Sequence, residues 1–173
     1  MATGPRYAVQ YRRKRKGLTD YKKRLNMLKS KKDRLVVRLS NKHILVQLVR
    51  YSQNGDIILS SAHSAELKKF GWAYNTSNMP ATYLTGLLCG LRAKSKDIKE
   101  AILDNGLLVS VPGNKLYSVL KGAIDSGLYI PHDESVLPSE SRIRGEHIAS
   151  YTKKDIATDF DKIKKSILGE FSK

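Results

Sequence analysis

The chain has 173 residues, of which 32 are Lys or Arg and 16 are Asp or Glu, and its formal net charge is +16. Apolar residues make up 40% of the chain, an ordinary share for a globular protein that can bury a core, so the charge excess is the unusual feature and points to a polyanionic partner. The single cysteine excludes an intramolecular disulfide and a cysteine-cluster zinc site, and no apolar run reaches the roughly 18 residues of a membrane span, so we expect a protein of the reducing cytosol.

The first 34 residues form a strongly basic segment. They hold thirteen Lys and Arg but only two Asp, a net charge of +11. Charged side chains are almost never buried unpaired, so this arm is predicted to be extended, exposed and in need of a polyanion. Tyr7, Tyr11 and Tyr21 lie among the cations, and aromatic faces stack on unpaired bases, which favours RNA over duplex DNA. A solubilising tail or a localisation signal is the alternative, and a membrane-surface helix is disfavoured because the arm has no wide apolar face.

A short helix is predicted after the arm. Thr19 or Asp20 is placed to cap a helix over residues 21–28, in which Tyr21, Leu25 and Leu28 recur at helical spacing. This thin apolar face would lean lightly on a core. The opposite face would hold three cations toward phosphates: Lys22, Lys23 and Arg24.

Three runs with period-two alternation predict an antiparallel meander over residues 34–39, 44–51 and 56–62. The turns between them are residues 40–42 and 53–55, and the second contains an Asn-Gly pair that favours the positive φ angles of a tight hairpin. One face of this sheet is predicted to be buried. The other face is expected to be more polar, and its markers are Arg38, Gln47 and Arg50.

Two helices and a further strand are predicted to complete the core. One or two helical turns end at Gly71, and Pro80 then opens a long helix to about Lys94 that includes Cys89. Two glycines within that helix, Gly86 and Gly90, predict close contact with a neighbouring strand or helix. Residues 101–104 read as a strand, parallel to the meander and reached by a helical crossover, and residues 116–124 read as a second packing helix stopped by Gly127.

The C-terminal part is predicted to wrap the outside of the core. Residues 132–150 read as irregular, residues 152–155 as a capping box, and the spacing of Ile156, Phe160, Ile163 and Ile167 as a final amphipathic helix. Residues 132–173 hold eight basic and eight acidic side chains, a balance that suits protein contacts better than RNA. The predicted organisation is a basic arm with a short helix over residues 1–33, a mixed α/β core over 34–131, and a wrapping segment with a C-terminal helix over 132–173.

No pattern indicates an enzyme. Ser118 and Ser150 each begin a Ser-x-x-Lys sequence but lack its companion motifs, and residues 113–115 lack the rest of a phosphate-binding loop. The four histidines are scattered without metal-ligand spacing. We therefore predict no catalytic residue, no metal and no cofactor.

Several motifs in a fixed order closely resemble one protein family. They are residues 12–21 of the arm, the strand 34–38 with the turn 40–42, Gly71-Trp72, residues 81–86, residues 120–123 with 127–132, and residues 142–148. Together they resemble the archaeal form of large-subunit ribosomal protein eighteen, the 5S-rRNA-binding family, over about residues 5 to 150.

This resemblance implies a mixed α/β domain similar to small-subunit ribosomal protein eleven. It implies a structural constituent of the large ribosomal subunit that binds 5S rRNA and helps anchor it in the central protuberance. The implied partners are 5S rRNA, 23S rRNA, large-subunit ribosomal protein five and other central-protuberance proteins, with no membrane. The residues carried over by position and the basic and aromatic residues of the arm give these RNA-binding candidates: Arg6, Tyr7, Tyr11, Arg12, Arg13, Lys14, Arg15, Lys16, Thr19, Asp20, Tyr21, Lys22, Arg24, Lys32, Ser40, Asn41, Lys42, Trp72 and Tyr74.

Two functions of different classes stay open at this point. The first is a structural ribosomal protein bound to 5S rRNA. The second is a free RNA-binding adaptor, or a factor of RNA metabolism, that uses the same basic arm. The lack of a coherent set of acid, base, nucleophile or metal ligands favours the first.

Overall fold

The computed structural model describes residues 4–153 and 155–171, so the first three residues of the predicted arm, Lys154 of the predicted capping box, and Ser172 and Lys173 lie outside the described residues. Within these ranges the α-helices are α1 (Arg12–Arg15), α2 (Tyr21–Leu28), α3 (Met79–Lys94), α4 (Lys115–Asp125), α5 (Glu140–Arg144), α6 (Glu146–Thr152) and α7 (Ile156–Glu170). The strands are β1 (Arg34–Leu39), β2 (Ile44–Arg50), β3 (Ile57–His63) and β4 (Ile102–Asp104). Two 3-10 helices span Ser64–Phe70 and Glu134–Val136.

The four strands form one mixed sheet in the order β3-β2-β1-β4. Strand β2 is antiparallel to both β1 and β3, which confirms the predicted meander. Strand β4 is parallel to β1, with Leu35 opposite Leu103, and the chain reaches it from β3 through α3. The predicted mixed α/β fold with a parallel fourth strand is therefore confirmed.

The two faces of the sheet have different partners. On the inner face Leu35, Val37, Ile44, Val46 and Leu48 are buried in a hydrophobic core that also includes residues of α3 and α4. The alternation along β1 and β2 thus follows the apolar pattern of the sequence, as predicted. The outer face lies toward the N-terminal residues of the chain, which line a cleft together with it.

Helices α3 and α4 approach each other at glycines. A Cβ atom added at Gly86 would lie 2.2 Å from the carbonyl oxygen of Val119, and one at Gly122 would lie 2.1 Å from that of Tyr83. Only a residue without a side chain fits at these separations. The predicted close contact of the long helix is confirmed, and its partner is α4.

The β2–β3 connection differs from the predicted tight turn. It spans residues 51–56, and of the Asn54-Gly55 pair only Gly55 takes a positive φ, +132°. In a tight hairpin around this pair the strands would continue to Asp56, but β3 begins at Ile57. The carboxylate of Asp56 accepts hydrogen bonds from Arg24 and Arg34. The side-chain pairing of Asp56 therefore accompanies a wider loop, and β3 begins one residue later than predicted.

Strand β3 is an edge of the sheet, and two of its backbone carbonyl groups bind basic side chains. Arg92 in α3 donates to the carbonyl oxygen of Ser61 at 2.7 Å, and Lys96 donates to that of Leu59. Arg92 also donates to the carboxylate of Glu66. That carboxylate accepts from the backbone N–H of His63 as well, which forms the capping box of the first 3-10 helix. Since unpaired edge carbonyls are a template for strand addition, these contacts protect the edge.

The C-terminal segment is more regular than predicted. Residues 134–152 include a 3-10 helix and the short helices α5 and α6, separated by Gly145 at a φ of +82°. Buried Ile143 of α5 and the apolar stripe of α7 belong to the same hydrophobic core as the sheet, so the predicted amphipathic helix is confirmed. The predicted capping box at residue 152 is wrong, because Thr152 ends α6 and donates to the carbonyl of Ile148, while α7 starts at Ile156. The division of the chain at residues 33 and 131 stays a prediction.

Candidate nucleic-acid interface

The basic arm is fully exposed and contains one helical turn. Every residue from 4 to 18 is exposed, and α1 consists of four consecutive basic residues. Gly17 ends the turn at a φ of +62°, and the backbone N–H of Leu18 donates to the carbonyl oxygen of Arg13 at 2.9 Å. The arm therefore displays its cations from a defined turn rather than from the fully extended segment that the sequence predicts.

Three candidates hold the arm onto α2. Thr19 accepts a hydrogen bond from Nε of Arg13 at 2.9 Å, and Asp20 caps α2 by accepting from the backbone N–H of Lys23. The ring of Tyr21 packs on the ring of Tyr11, with centroids 5.2 Å apart. These contacts orient the exposed cations, and they give Thr19 and Asp20 structural roles within the interface.

Helix α2 is docked by polar contacts instead of the predicted apolar face. None of its residues is fully buried, and Leu25 is 58% exposed. Lys23 donates from Nζ to Asn105 at 2.5 Å, and Arg24 donates to both carboxylate oxygens of Asp56 at 2.9 Å. Lys23 and Arg24 thus have partners within the protein, and their contact with phosphates stays a prediction. Lys22 is exposed.

Two further cations of the basic segment are also paired within the protein. Arg34 is buried and donates to Asp104 at 2.8 Å and to Asp56 at 2.7 Å. Lys32 pairs with Glu100 at 2.7 Å, which raises the pKa of Lys32 through the hydrogen bond. Lys32 is thus a weaker candidate for RNA than the sequence indicates.

The remaining cations of the arm are free to meet an anion. Within the described residues no ion pair involves seven of the candidates: Arg6, Arg12, Arg13, Lys14, Arg15, Lys16 and Lys22. Tyr7 and Tyr11 lie among them and are 45% and 73% exposed. The structure therefore brings exposed charge and exposed aromatic rings together on one segment, as predicted.

A cleft of about 580 Å³ separates the arm and α2 from the outer face of the sheet. Arg13 of the arm and Arg38 of β1 both line it, beside Gln47 and the apolar side chains of Val36 and Ile58. Arg38 is exposed and was not among the RNA-binding candidates. The signal that could have found it is its place on the polar face of a strand next to the turn at residues 40–42.

That turn and the loop after Gly71 lie together. Thr76 donates from Oγ1 to the carbonyl oxygen of Lys42 at 2.6 Å, and Ser77 donates to that of Ser40 at 3.1 Å. Ser40 closes the turn by donating to the carbonyl oxygen of His43 at 2.7 Å. Asn41 and Lys42 are exposed at the tip, so the turn presents an amide and an ammonium group from a fixed backbone.

Trp72 does not face solvent, and its burial disfavours the predicted stacking on RNA. Its side chain is 2% exposed, and its Nε1 donates to the carbonyl oxygen of Asn75. Gly71 takes the left-handed conformation after the 3-10 helix, and the backbone N–H of Trp72 donates back to the carbonyl of Leu67. An apolar residue just after such a glycine commonly packs against its own helix, and this signal was present in the sequence.

Tyr74 occupies the surface position in that loop. Its ring lies against Trp72, and its hydroxyl donates to Asp159 of α7 at 2.7 Å. Tyr74 is half-buried and lines a surface cavity.

Among the described residues, neither the cysteine nor the possible metal ligands form a reactive or metal-binding arrangement. Burial raises the pKa of the Cys89 thiol to about 11, which keeps this cysteine protonated and unreactive. No group of three His, Cys, Asp or Glu side chains among them could hold a metal ion. In the same part of the chain, no helix has both the length and the apolar character needed to cross a membrane.

Comparison with known proteins identifies the family. The model of "Ribosomal large subunit proteins 60S L5, and 50S L18" matches residues 5–100 and 92–133. Large ribosomal subunit protein uL18 of Methanothermobacter thermautotrophicus is 54% identical over 151 residues, which cover 87% of this chain and 79% of that protein. The uL18 protein of Methanococcoides burtonii is 50% identical over 99% of this chain and 100% of its own, and that of Haloarcula marismortui is 48% identical over 97% of each. The chain belongs to the family of ribosomal large subunit proteins 60S L5 and 50S L18.

Proposed function

We propose that the protein is a structural constituent of the large ribosomal subunit that binds 5S rRNA through its basic arm and helps anchor that RNA in the central protuberance. Membership of a family of large-subunit proteins supports the ribosomal role and confirms the prediction that the chain is not an enzyme. The observation that carries the RNA-binding part is the arm, in which seven exposed cations have no ion pair within the described residues, six of them on the fully exposed residues 4–18 and the seventh, Lys22, on α2.

The arm suits RNA because its charge and its rings act on different parts of a nucleotide. Each phosphate neutralised by Lys or Arg releases condensed counterions, which favours binding at low salt. Tyr7 and Tyr11 can stack on unpaired bases. The contacts of Thr19 and Tyr21 with the arm limit its freedom before binding, which lowers the entropy lost on association.

Choice of the RNA would depend on the folded surface. Phosphate contacts position a protein on nucleic acid, whereas contacts to bases and to shape carry specificity. The turn that presents Asn41 and Lys42 is held by the hydroxyls of Thr76 and Ser77, which donate to its backbone carbonyls, so it can act as a rigid surface for recognition. Arg38, in the cleft beside Arg13, extends this surface toward the arm.

The remaining partners follow from the same proposal. A protein anchored beside 5S rRNA would contact 23S rRNA, large-subunit ribosomal protein five and other central-protuberance proteins, and it would act in the cytoplasm as part of the large subunit.

Binding of the full chain to purified 5S rRNA and to a size-matched transfer RNA tests the proposal. We expect clear preference for 5S rRNA and sedimentation with large subunits in high salt. Equal affinity for both RNAs, or release from subunits in moderate salt, would favour a free RNA-binding adaptor instead.

Two quadruple variants show whether the arm is responsible for the affinity for 5S rRNA. The first replaces Arg12, Arg13, Arg15 and Lys16 with Gln. The matched control replaces Lys68, Lys69, Lys94 and Lys165 with Gln, which removes the same charge from exposed positions outside the arm. The proposal expects a large loss of 5S rRNA affinity in the first variant and a small loss in the control.

A further inference from the structure

A second cavity lies beside the turn at residues 40–42. It has a volume of about 720 Å³ and is formed by the loop around residues 73–79, the start of α4, and helices α5 and α6. Pockets of roughly 300–1,000 Å³ accommodate ligands of small-molecule size. The cavity is separate from the described part of the arm, since none of residues 4–34 lines it.

The fixed charges that line the cavity are positive. They belong to Lys115 and Arg142, which are both exposed, and neither Asp nor Glu is among the described residues that line it, although Asp159 lies behind Tyr74 as the acceptor of its hydroxyl. His147 also lines the cavity, and burial together with the charge of Arg142 lowers its pKa, so this imidazole is neutral near pH 7. The amino ends of α3 and α4 also meet there, at Asn78 and Asn114. Helix dipoles add positive potential at these ends. The wall therefore favours an anion.

One side of the cavity carries an aromatic ring in a fixed position. Tyr74 lines the cavity, and its ring is held by the edge contact with buried Trp72 and by the hydrogen bond from its hydroxyl to Asp159. Such a ring loses little freedom when a flat ligand stacks on it. Asn41 also lines the cavity and offers an amide that can donate and accept.

We propose that this cavity binds one unpaired nucleotide of an RNA strand, with the base against Tyr74 and the phosphate beside Lys115 and Arg142. The inference rests on the proposed RNA-binding function and adds a site remote from the arm. A nucleotide matches both the ring and the cations, because single-stranded RNA is recognised by stacking of splayed bases together with phosphate contacts. The balanced charge of residues 132–173 predicted protein contacts for this segment, yet its Arg142 lines this cavity.

Photo-crosslinking of the full chain to a 4-thiouridine hexanucleotide maps where RNA lies. We expect crosslinked peptides that contain Tyr74 or His147 in addition to peptides of the arm. The double variant Lys115→Gln/Arg142→Gln should lose the cavity crosslinks and keep those of the arm. The matched control Lys68→Gln/Lys165→Gln should keep both sets, because these lysines are exposed outside the cavity.

The role of the ring is tested in the quadruple arm variant, which removes most of the competing affinity. There, Tyr74→Leu should weaken hexanucleotide binding by about 5- to 150-fold, the range for loss of one stacked base, while Tyr74→Phe should retain most of it. Thermal melting of each variant identifies any variant that fails to fold. If Tyr74→Leu fails to fold, the crosslinking result of Lys115→Gln/Arg142→Gln still tests the nucleotide site.

The outcomes separate this inference from the proposed function. Crosslinks confined to the arm, or cavity crosslinks that survive the double substitution, would overturn the nucleotide site while leaving arm-dependent 5S rRNA binding in place. Failure of the proposed function would appear instead as unchanged 5S rRNA affinity in the quadruple arm variant.

Discussion

The ring of Trp72 stands edge-on to the ring of Tyr74, with the centroids 5.2 Å apart and an angle of 72° between the planes. One of these two aromatic residues is buried in the core, while the other is half-buried at the mouth of a cavity. The buried ring therefore fixes the position of the accessible one. In the sequence both aromatic residues of this loop look like candidates for stacking on RNA. In the structure one of them packs in the core and the other lies at the surface.

Trp72→Ala should act through stability. Removal of a large buried aromatic side chain costs about 3–5 kcal/mol in unfolding free energy. Urea denaturation should show this loss, and Trp72→Phe, which keeps much of the ring volume, should lose less. An alanine variant that keeps its unfolding free energy but loses 5S rRNA affinity per folded molecule would return Trp72 to the RNA surface.

Gly122→Ala should destabilise the contact between α3 and α4. A Cβ atom there would lie 2.1 Å from the carbonyl oxygen of Tyr83, so the helices must separate, and overpacking of this kind costs about 1–3 kcal/mol. Gly169→Ala in α7 is the control, because nothing lies within 4 Å of an added Cβ, and its helix propensity gain is up to about 1 kcal/mol. Thermal melting should move in opposite directions for the two variants; a shift of the same sign would contradict the assigned contact.

Arg34→Gln should cost far more stability than Arg50→Gln. The side chain of Arg34 is 3% exposed and pairs with Asp104 and Asp56, and loss of one partner from a buried ion pair costs about 3–5 kcal/mol. Arg50 pairs with Asp33 but is 57% exposed, and such surface pairs contribute about 0–1 kcal/mol. Equal urea midpoints for the two variants would show that Arg34 is not an anchor between β1 and β4.

The hydrogen bond between Tyr74 and Asp159 should depend on pH at both extremes. It is the main cause that lowers the pKa of Asp159 below 3.8, so its contribution is present above that pH and is lost as pH falls through the depressed value. The same bond is the main cause that raises the pKa of Tyr74 above 10.0, so its contribution is present below that pH and is lost as pH rises through the elevated value.

Carboxyl-carbon NMR titration of Asp159 measures this coupling. Tyr74→Phe removes the donor and should return the Asp159 pKa toward its ordinary value, while Lys162→Gln should have a smaller effect because the bond from Lys162 is the lesser cause. An unchanged titration in Tyr74→Phe would contradict the tether.

The elements that the sequence predicted correctly depend on local patterns. Period-two alternation in β1 and β2 requires only that one face be buried, and the spacing of Ile156, Phe160, Ile163 and Ile167 requires only one packed helix face. The side chain of Asp20 caps α2 by accepting a hydrogen bond from the backbone N–H of Lys23, only three residues away. Patterns that involve only residues close together in the chain can be recognised from the sequence alone.

Several errors depend on contacts between residues far apart in the chain, whereas the wrong capping box at residue 152 and the burial of Trp72 concern local sequence. The ion pairs of Arg34 join residues 22 and 70 positions away, so the sequence could not show that Arg24 and Arg34 both pair with Asp56. Helices α5 and α6 are short, and such helices depend on tertiary packing more than on their own propensity. The exposure of the arm was predicted correctly, whereas the burial of Trp72 was not. The RNA contacts of both stay predictions.

The dependence of 5S rRNA affinity on salt tests the central claim most directly. The logarithm of the binding constant should fall linearly with the logarithm of salt concentration, by about 0.7 to 0.9 per phosphate contacted. The variant with Gln at Arg12, Arg13, Arg15 and Lys16 should lose about three units of that slope, while preference for 5S rRNA over transfer RNA should survive better than affinity. The control quadruple, with Gln at Lys68, Lys69, Lys94 and Lys165, should keep the parental slope; an arm variant that also keeps it would contradict the assignment of RNA binding to the arm.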